Sequence, residues 1–500
     1  MIRPAPLAGL SLAALVLVPL AATVWFAGGV SALRPSDLRA VQFTIWQALT
    51  SAAMSCALAI PLARALHRRH FFGRALLITL LGAPFVLPTI IATMGLIALF
   101  GRAGPITAAL TTLGFDPITI YGPQGVIAAH VFFNLPLATR MILHGWAAIP
   151  NERHRLAASL GFSRWDRFRH VEAPMLKRIL PGAFLAIFLV CLTSFAVALT
   201  MGGGPRATTI ELAIYQAFRF DFEIARAASL ALLQTAICLV AVALAMRITP
   251  PDASNQGLGT AAPDLPLSAL DGPVILAASL FLITPIALLL ARGLPEIGSL
   301  PPSIWRAAAI SLAVALASAA LTLALALPIA LNARPWMEAA GMLPMTASAL
   351  VMGTGLFLIA RPFINPTSLA LPATLIVNAT LAAPFVLRAL MPEARVLRRD
   401  YDRLSASLGI GGPSYLRLIA LPRLARPLGF CAGLSAAFSM GDLGVITLFS
   451  DGRTQTLPLA LYQLMGAYRL DQASAAAAVL MTLTFALFWA FDRIGNACAR

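Results

Sequence analysis

The chain has 500 residues, of which 59% are hydrophobic and 11% charged, and a net charge of +16. Soluble domains carry about 25% charged residues, so this composition, with a mean hydropathy of +0.84, excludes an ordinary soluble protein and places the chain in the membrane class. The positive charge does not point to nucleic acid. All but Lys177 of the 36 basic residues are Arg, and they cluster between apolar runs, as in the cytoplasmic loops of membrane proteins.

The first apolar run, residues 7–29, follows Arg3 and lacks a small-residue cleavage site. It reads as an uncleaved membrane helix and not as a signal peptide. Spanning a bilayer takes roughly 20 apolar residues. By that rule helices are expected near 7–29, 43–64, 75–100, 124–145, 180–201 and 224–246, and again near 272–292, 305–332, 338–360, 369–390, 427–449 and 472–492. The loop at 64–74 carries Arg64, Arg68, Arg69 and Arg74, and the stretch 140–178 carries seven Arg and Lys177. The alternate loops at 101–123 and 202–223 carry one and two basic residues. The positive-inside rule then places the N-terminus in the cytoplasm. Residues 388–426, with eight Arg, fall on the same side.

Residues 248–270 are rich in Pro, Gly and Ser and read as a cytoplasmic linker. It divides the chain into halves 1–247 and 271–500. Six expected helices precede it, so the second half re-enters in the same orientation, as a parallel repeat. The sequence carries this duplication. The segment Arg155-Leu-Ala-Ala-Ser-Leu-Gly161, continuing through Phe168, Val171 and Pro174, returns as Arg403-Leu-Ser-Ala-Ser-Leu-Gly409, continuing through Leu416, Ile419 and Pro422. Pro61 pairs with Pro328, Pro84 and Gly95 with Pro344 and Gly355, and Pro136 and Arg140 with Pro384 and Arg388. Further on, Arg206, Thr209, Tyr215 and Gln216 pair with Arg453, Thr456, Tyr462 and Gln463.

Each repeated segment, within loops at about 146–179 and 391–426, reads as a short helix, a turn at the glycine, and a second short piece that Pro174 or Pro422 either stops or hands to the next helix. Leu160, Phe168 and Val171 can face the membrane domain while Arg164, Arg167 and Arg169 stay wet. An interfacial helix held by anionic lipid needs charge, but it does not need a Gly and a Pro repeated at fixed spacing. A docking surface for a soluble partner does.

The pattern resembles the E-A-A-x-x-x-G-x9-I-x-L-P loop of ABC importer permeases of the type I fold. The second copy matches at Gly409, Ile419, Leu421 and Pro422, and the first at Gly161 and Pro174, with Val171 for Ile. Both copies depart at the acidic position, which is Arg155 or Arg403, and at the first Ala, which is Leu156 or Leu404; the second Ala is Ala157 or Ser405, followed by Ala158 or Ala406. A narrower resemblance, to the thiamine permeases of that class, rests on Ser194–Gln216 (SFAVALTMGGGPRATTIELAIYQ) and Ser439–Phe449 (SMGDLGVITLF). Ferric-iron permeases share the fused two-half layout. The resemblance implies an all-α bacterial inner-membrane protein of about 12 spans. It further implies one docked ATP-hydrolysing subunit per half, carrying the ATP and Mg, and a periplasmic binding protein that delivers thiamine and its phosphates.

Gly202-Gly-Gly-Pro205 is not a phosphate loop, because no Lys-Ser or Lys-Thr follows it. It reads as an outer turn where Gly203, Gly204 and Arg206, with Tyr215, Arg453 and Tyr462, are candidate contacts for a binding protein. Asp442 is the acid that these spans place inside a helix, and an intramembrane charge is a functional candidate by default. It can face a cationic thiazolium cargo or hydrogen-bond the backbone near Gly441 and Gly444. His130, Asn134 and Asn378 also interrupt apolar helices, and His130 and Asn378 are equivalent in the repeat. Helix packing accounts for such residues as well as transport does. The five scattered cysteines read as structural and show no metal spacing. The competing readings are a secondary transporter and a membrane enzyme. The first would concentrate its repeat and its ionisable groups in the helices, and the second needs a catalytic cluster that the sequence does not offer.

Overall fold

A chain segment in a bilayer must satisfy its backbone hydrogen bonds internally, and an apolar run does so as a helix. The computed structural model describes residues 5–26, 32–69, 71–81, 87–117, 119–247, 268–332, 334–450, 452 and 454–498. The expected linker lies outside the described residues except for 268–270, and Pro84 and Arg453 lie outside them too. The described part is helical, with no strand among the described residues. Its principal helices are α1 (Ala5–Phe26), α2 (Pro35–Arg68), α3 (Thr89–Phe100), α4 (Pro123–Ala147), α5 (Ala173–Leu192) and α6 (Ile224–Met246), followed by α7 (Asp271–Gly293), α8 (Pro302–Asn332), α9 (Ala349–Ala360), α10 (Ala370–Ser407), α11 (Leu421–Met440) and α12 (Leu470–Cys498). Among the described residues 11 spans are long and apolar enough to cross a membrane, or 12 when the bent pair ending in α9 counts as one.

Four of the expected helices are broken or displaced, each for a local reason. The run 338–360 divides into Pro335–Thr346 and α9, which meet at 95°. Pro344 has no N–H to continue the first piece, and Ser348 caps the second by accepting from the Val351 N–H at 3.1 Å. The run 75–100 divides into Arg74–Leu80 and α3, with residues 82–86 outside the described ones. The run 180–201 starts earlier, at Ala173, and ends at Leu192, where Thr193 turns its hydroxyl back to the Leu189 carbonyl at 3.3 Å. A separate helix, Ala196–Met201, follows. The run 427–449 likewise becomes α11 and a short helix, Gly444–Phe449. Asp442 therefore lies in the break and not inside a helix. Its Oδ1 accepts the Gly444 N–H at 3.1 Å, the local competition with helix bonding that Asp favours.

The halves interlock. Helix α1 packs on α8 and α9, and α7 packs on α2 and α3, so each half lends its first helix to the other. Within the first half, the wholly buried Asp37 of α2 accepts from Arg226 of α6, whose Nη2 and Nε stand 2.7 and 3.1 Å away. Two shorter helices, Ile210–Arg219 and Leu457–Gly466, fold back before α6 and α12. They are anchored in the same way: Ile210 N–H donates to Thr44 at 2.8 Å, and Leu457 N–H to Ser311 at 2.7 Å. The duplication legible in the sequence is thus a duplication of hydrogen bonds.

Candidate functional site

The two repeated segments fold alike. In the first, helix Asn151–Ser159 ends at Gly161, whose φ is +66°. In the second, α10 runs unbroken into the segment, so the expected loop from 391 begins as helix, and it ends at Gly409, φ +65°. The first half breaks at this point because Pro150 disfavours helix for the residue before it. Both glycines close the helix with the same paired bonds. Phe162 N–H reaches the Ala157 carbonyl at 3.0 Å, and Ile410 N–H reaches that of Ser405 at 2.9 Å, the six-to-one bond of a left-handed cap. A π-turn follows in each, Phe168–Glu172 and Leu416–Ala420. Pro174 and Pro422 have no N–H to donate, so the hydrogen-bond ladder slips by one residue just before them. The prolines begin α5 and α11 and do not close the segments.

Ala157, Ser405 and Val171 are buried against the membrane domain, and Phe168, Leu416 and Ile419 are partly so. Arg155, Ala158, Pro174, Arg403, Ala406, Leu421 and Pro422 are exposed, as are Arg164 and Arg169, while Arg167 is partly buried. One expectation fails: Leu160 does not face the membrane domain but is 61% exposed, and its twin Leu408 is 63% exposed. One turn earlier Leu156 and Leu404 are exposed as well. Residues four apart share a helix face, so each copy presents a two-leucine stripe bordered by Arg.

Beneath the first copy lies a cluster that the sequence reading missed. Glu172, 5% exposed, is paired with Arg64 at 2.8 Å and Arg68 at 3.5 Å. Arg64 also lies 5.6 Å over the Phe168 ring. His154 is buried there with its ring 6.4 Å from that of His67, and burial holds its imidazole below the ordinary value of 6.5. Arg69 continues the chain of charge to Asp271 at 3.9 Å and to the Ser268 carbonyl at 2.9 Å. In the second half the positions of Arg64 and Glu172 are Leu331 and Ala420, both buried in an apolar cluster. The two surfaces are alike outside and different beneath.

The remaining candidates divide. Asn134 donates to the His130 carbonyl at 2.8 Å and contacts Cys191, and Asn378 donates to Ser439 at 3.1 Å. His130 is buried, and neither ring nitrogen has a hydrogen-bond partner among the described residues. Asn134 and Asn378 thus join neighbouring helices, one in each half. Gly203, Gly204 and Arg206 are exposed together. Tyr215 and Tyr462 are half-buried and not displayed; Tyr215 packs edge-on against Phe195 and Phe220. The two tyrosines lie near each other. A second missed acid, Glu211, sits one turn before Tyr215. It is 1% exposed, and neither carboxyl oxygen has a geometrically sound hydrogen bond among the described residues. The sequence signal was a Glu between apolar residues in TTIELAIY, hidden because that run was read as an outer loop.

The chain is a polytopic helical protein with a duplicated cytoplasmic-type segment, and residues 55–250 match the family described as binding-protein-dependent transport system inner membrane component. The chain is 37% identical over 474 residues to the thiamine transport system permease protein ThiP of Salmonella typhimurium, and equally to that of Escherichia coli K12, covering 91% of this chain and 88% of each relative. It is 38% identical to ThiP of Brucella abortus over 475 residues, 91% of this chain and 87% of that protein. The chain belongs to the ThiP family of ABC importer permeases.

Proposed function

We propose that this chain forms the translocation path for thiamine and its phosphates across the bacterial inner membrane, receiving them from a periplasmic thiamine-binding protein. Two copies of a separate ATPase, holding ATP and Mg, dock at the segments 146–179 and 391–426, one per half. Transport energy comes from them; this chain supplies no catalytic residue. The halves are 1–247 and 271–500, joined through 248–270 on the cytoplasmic side, where the N-terminus also lies. Gly203, Gly204 and Arg206 meet the binding protein, and Asp442 belongs to the path.

The observation that carries this reading is the pair of exposed stripes, Leu156 with Leu160 and Leu404 with Leu408, set at the end of identical caps. An exposed apolar stripe bordered by polar groups marks an interaction surface, and a duplicated one fits a partner present twice. The identity over 91% of the chain to proteins named for thiamine transport supports the cargo. The test is uptake of labelled thiamine at low concentration in cells that lack this gene, with and without its restoration. Restored uptake that fails when ATP is depleted under a maintained proton gradient supports the proposal. Unchanged thiamine uptake would remove this cargo, with ferric iron the next solute to assay, and uptake that follows the proton gradient alone would remove the ATPase.

A further inference from the structure

We infer that Glu211 is the counter-charge for a cationic cargo in the translocation path, at the seam where the two halves meet; this rests on the thiamine reading above. Three observations place it there. First, the helix Ile210–Arg219 packs on α9 of the other half, and Glu211 interacts there with the hydroxyl of Ser348. Second, Tyr215, four residues on and so on the same helix face, lies within electrostatic range of Tyr462. These tyrosines are repeat twins, and twins of a two-fold repeat become neighbours only near its axis. The face that carries Glu211 therefore looks toward the axis between the halves. Third, Asp442 stands at the same seam. A Cβ on Gly444, which Asp442 bonds, would lie 3.1 Å from Ala349, the residue after Ser348, and a Cβ on Gly441 would lie 3.1 Å from Pro88 of the first half.

Two acids thus flank the start of α9. Asp442 keeps one carboxyl oxygen, Oδ2, without a well-formed hydrogen bond, as Glu211 does both of its own beside the Ser348 hydroxyl, and neither forms an ion pair among the described residues. The helix of Glu211 is anchored well inside the length of α2. The Ile210 N–H bonds Thr44, nine residues into α2, or about 14 Å along it at 1.5 Å per residue. A buried acid without a base is costly there, and it is kept where an ion or substrate passes. The chemistry of the setting selects a large organic cation. Carboxylates attract positive charge, and the half-buried rings of Tyr215 and Tyr462 bring aromatic groups, the kind that bind quaternary nitrogen, to the same helix face. A thiazolium carries its charge on such a nitrogen. Glu211 has no counterpart in the repeat, where Pro458 stands, so the site is one-sided, as suits a single cargo molecule.

The experiment uses the complete importer, permease with ATPase and binding protein, in proteoliposomes. Glu211→Gln should still co-purify with the ATPase and lower the rate of thiamine uptake at least tenfold, with Glu211→Asp recovering part of it. In wild-type protein, a hydrophobic carbodiimide should modify Glu211, read by mass spectrometry, and turnover with thiamine-loaded binding protein and ATP should slow that modification severalfold. If Glu211→Gln fails to assemble, the carbodiimide measurement decides: slowing supports the inference, and labelling indifferent to turnover overturns it. A wild-type importer that moves thiamine while Glu211→Gln keeps pace overturns this inference alone. A wild type that moves no thiamine overturns the cargo reading and this inference with it.

Discussion

Gly95 of α3 lies against the backbone of Pro285 in α7, a helix of the other half; a Cβ there would stand 2.9 Å from the Pro285 carbonyl oxygen. Its twin Gly355 meets the backbone of Pro19 in α1 still more closely. The close approach of helix backbones through small residues is the usual device for helix association in a bilayer, where burial of apolar surface gives no drive. Here it fastens each half's first helix to its partner half. Gly355→Leu should force α1 outward at a cost of about 1–3 kcal/mol, the range for overpacking. A lowered midpoint of thermal unfolding for the purified protein in detergent checks it. An unchanged midpoint would mean that α1 is not held at this point.

Glu172 connects the first repeated segment to α2. Replacing one member of a buried ion pair strands the other, at about 3–5 kcal/mol. Arg64 retains 28% side-chain exposure, so screening reduces the expected loss for Glu172→Gln to about 1–3 kcal/mol. The same change should loosen the segment from the membrane domain, lowering uptake more than it lowers ATPase binding. Co-purification and uptake, measured on the same preparation, separate the two. Equal losses of both would assign Glu172 to docking itself.

The repeat, the spans and the turn geometry of the two segments were legible because each rests on residue types whose backbone preference is local: Gly161 and Gly409 for the left-handed cap, Pro174 and Pro422 for the start of a helix. The helix breaks at Thr193, Ser348 and Asp442 were not, because their flanks are as apolar as any continuous span and hydropathy does not register a hydroxyl or carboxylate that bonds its own backbone. The outward turn of Leu160 contradicted a rule that holds for folded monomers, that apolar residues seek the interior, and it did so at the surface proposed here to meet a partner. Glu172 and Glu211 escaped notice because their meaning depends on residues far away in sequence, Arg64 and Arg68 for one and Ser348 for the other.

His154 gives the first segment a pH dependence that the second lacks, since its twin is Asp402. Burial lowers the folded-state value of His154 from 6.5. The unfolded chain therefore binds more protons just below pH 6.5, and stability rises with pH wherever that is so. The contribution of neutral His154 is full above 6.5 and is lost as pH falls toward the lower folded value. Thermal unfolding between pH 5 and 7.5 should show this slope, and His154→Gln should flatten it. An identical slope in the variant would place the titrating group elsewhere.

The docking surface itself is tested by two kinds of change that must agree. Leu160→Asp with Leu408→Asp removes the exposed stripes without touching the interior, because these side chains are 61% and 63% exposed. Membrane insertion and the unfolding midpoint should stay near wild type, while co-purification of the ATPase and thiamine uptake fall at least tenfold, about 1.4 kcal/mol of docking energy. Gly161→Val with Gly409→Val acts on the backbone. At φ near +65° a branched residue is strained by roughly 1–2 kcal/mol at each site, which unwinds the cap and misdirects the same stripe. The double glycine variant should therefore lose uptake with insertion intact. Normal uptake in the glycine double variant would end the docking assignment, whereas loss in the glycine variant alone would shift the contact from the leucines to the backbone turn and the arginines beside it.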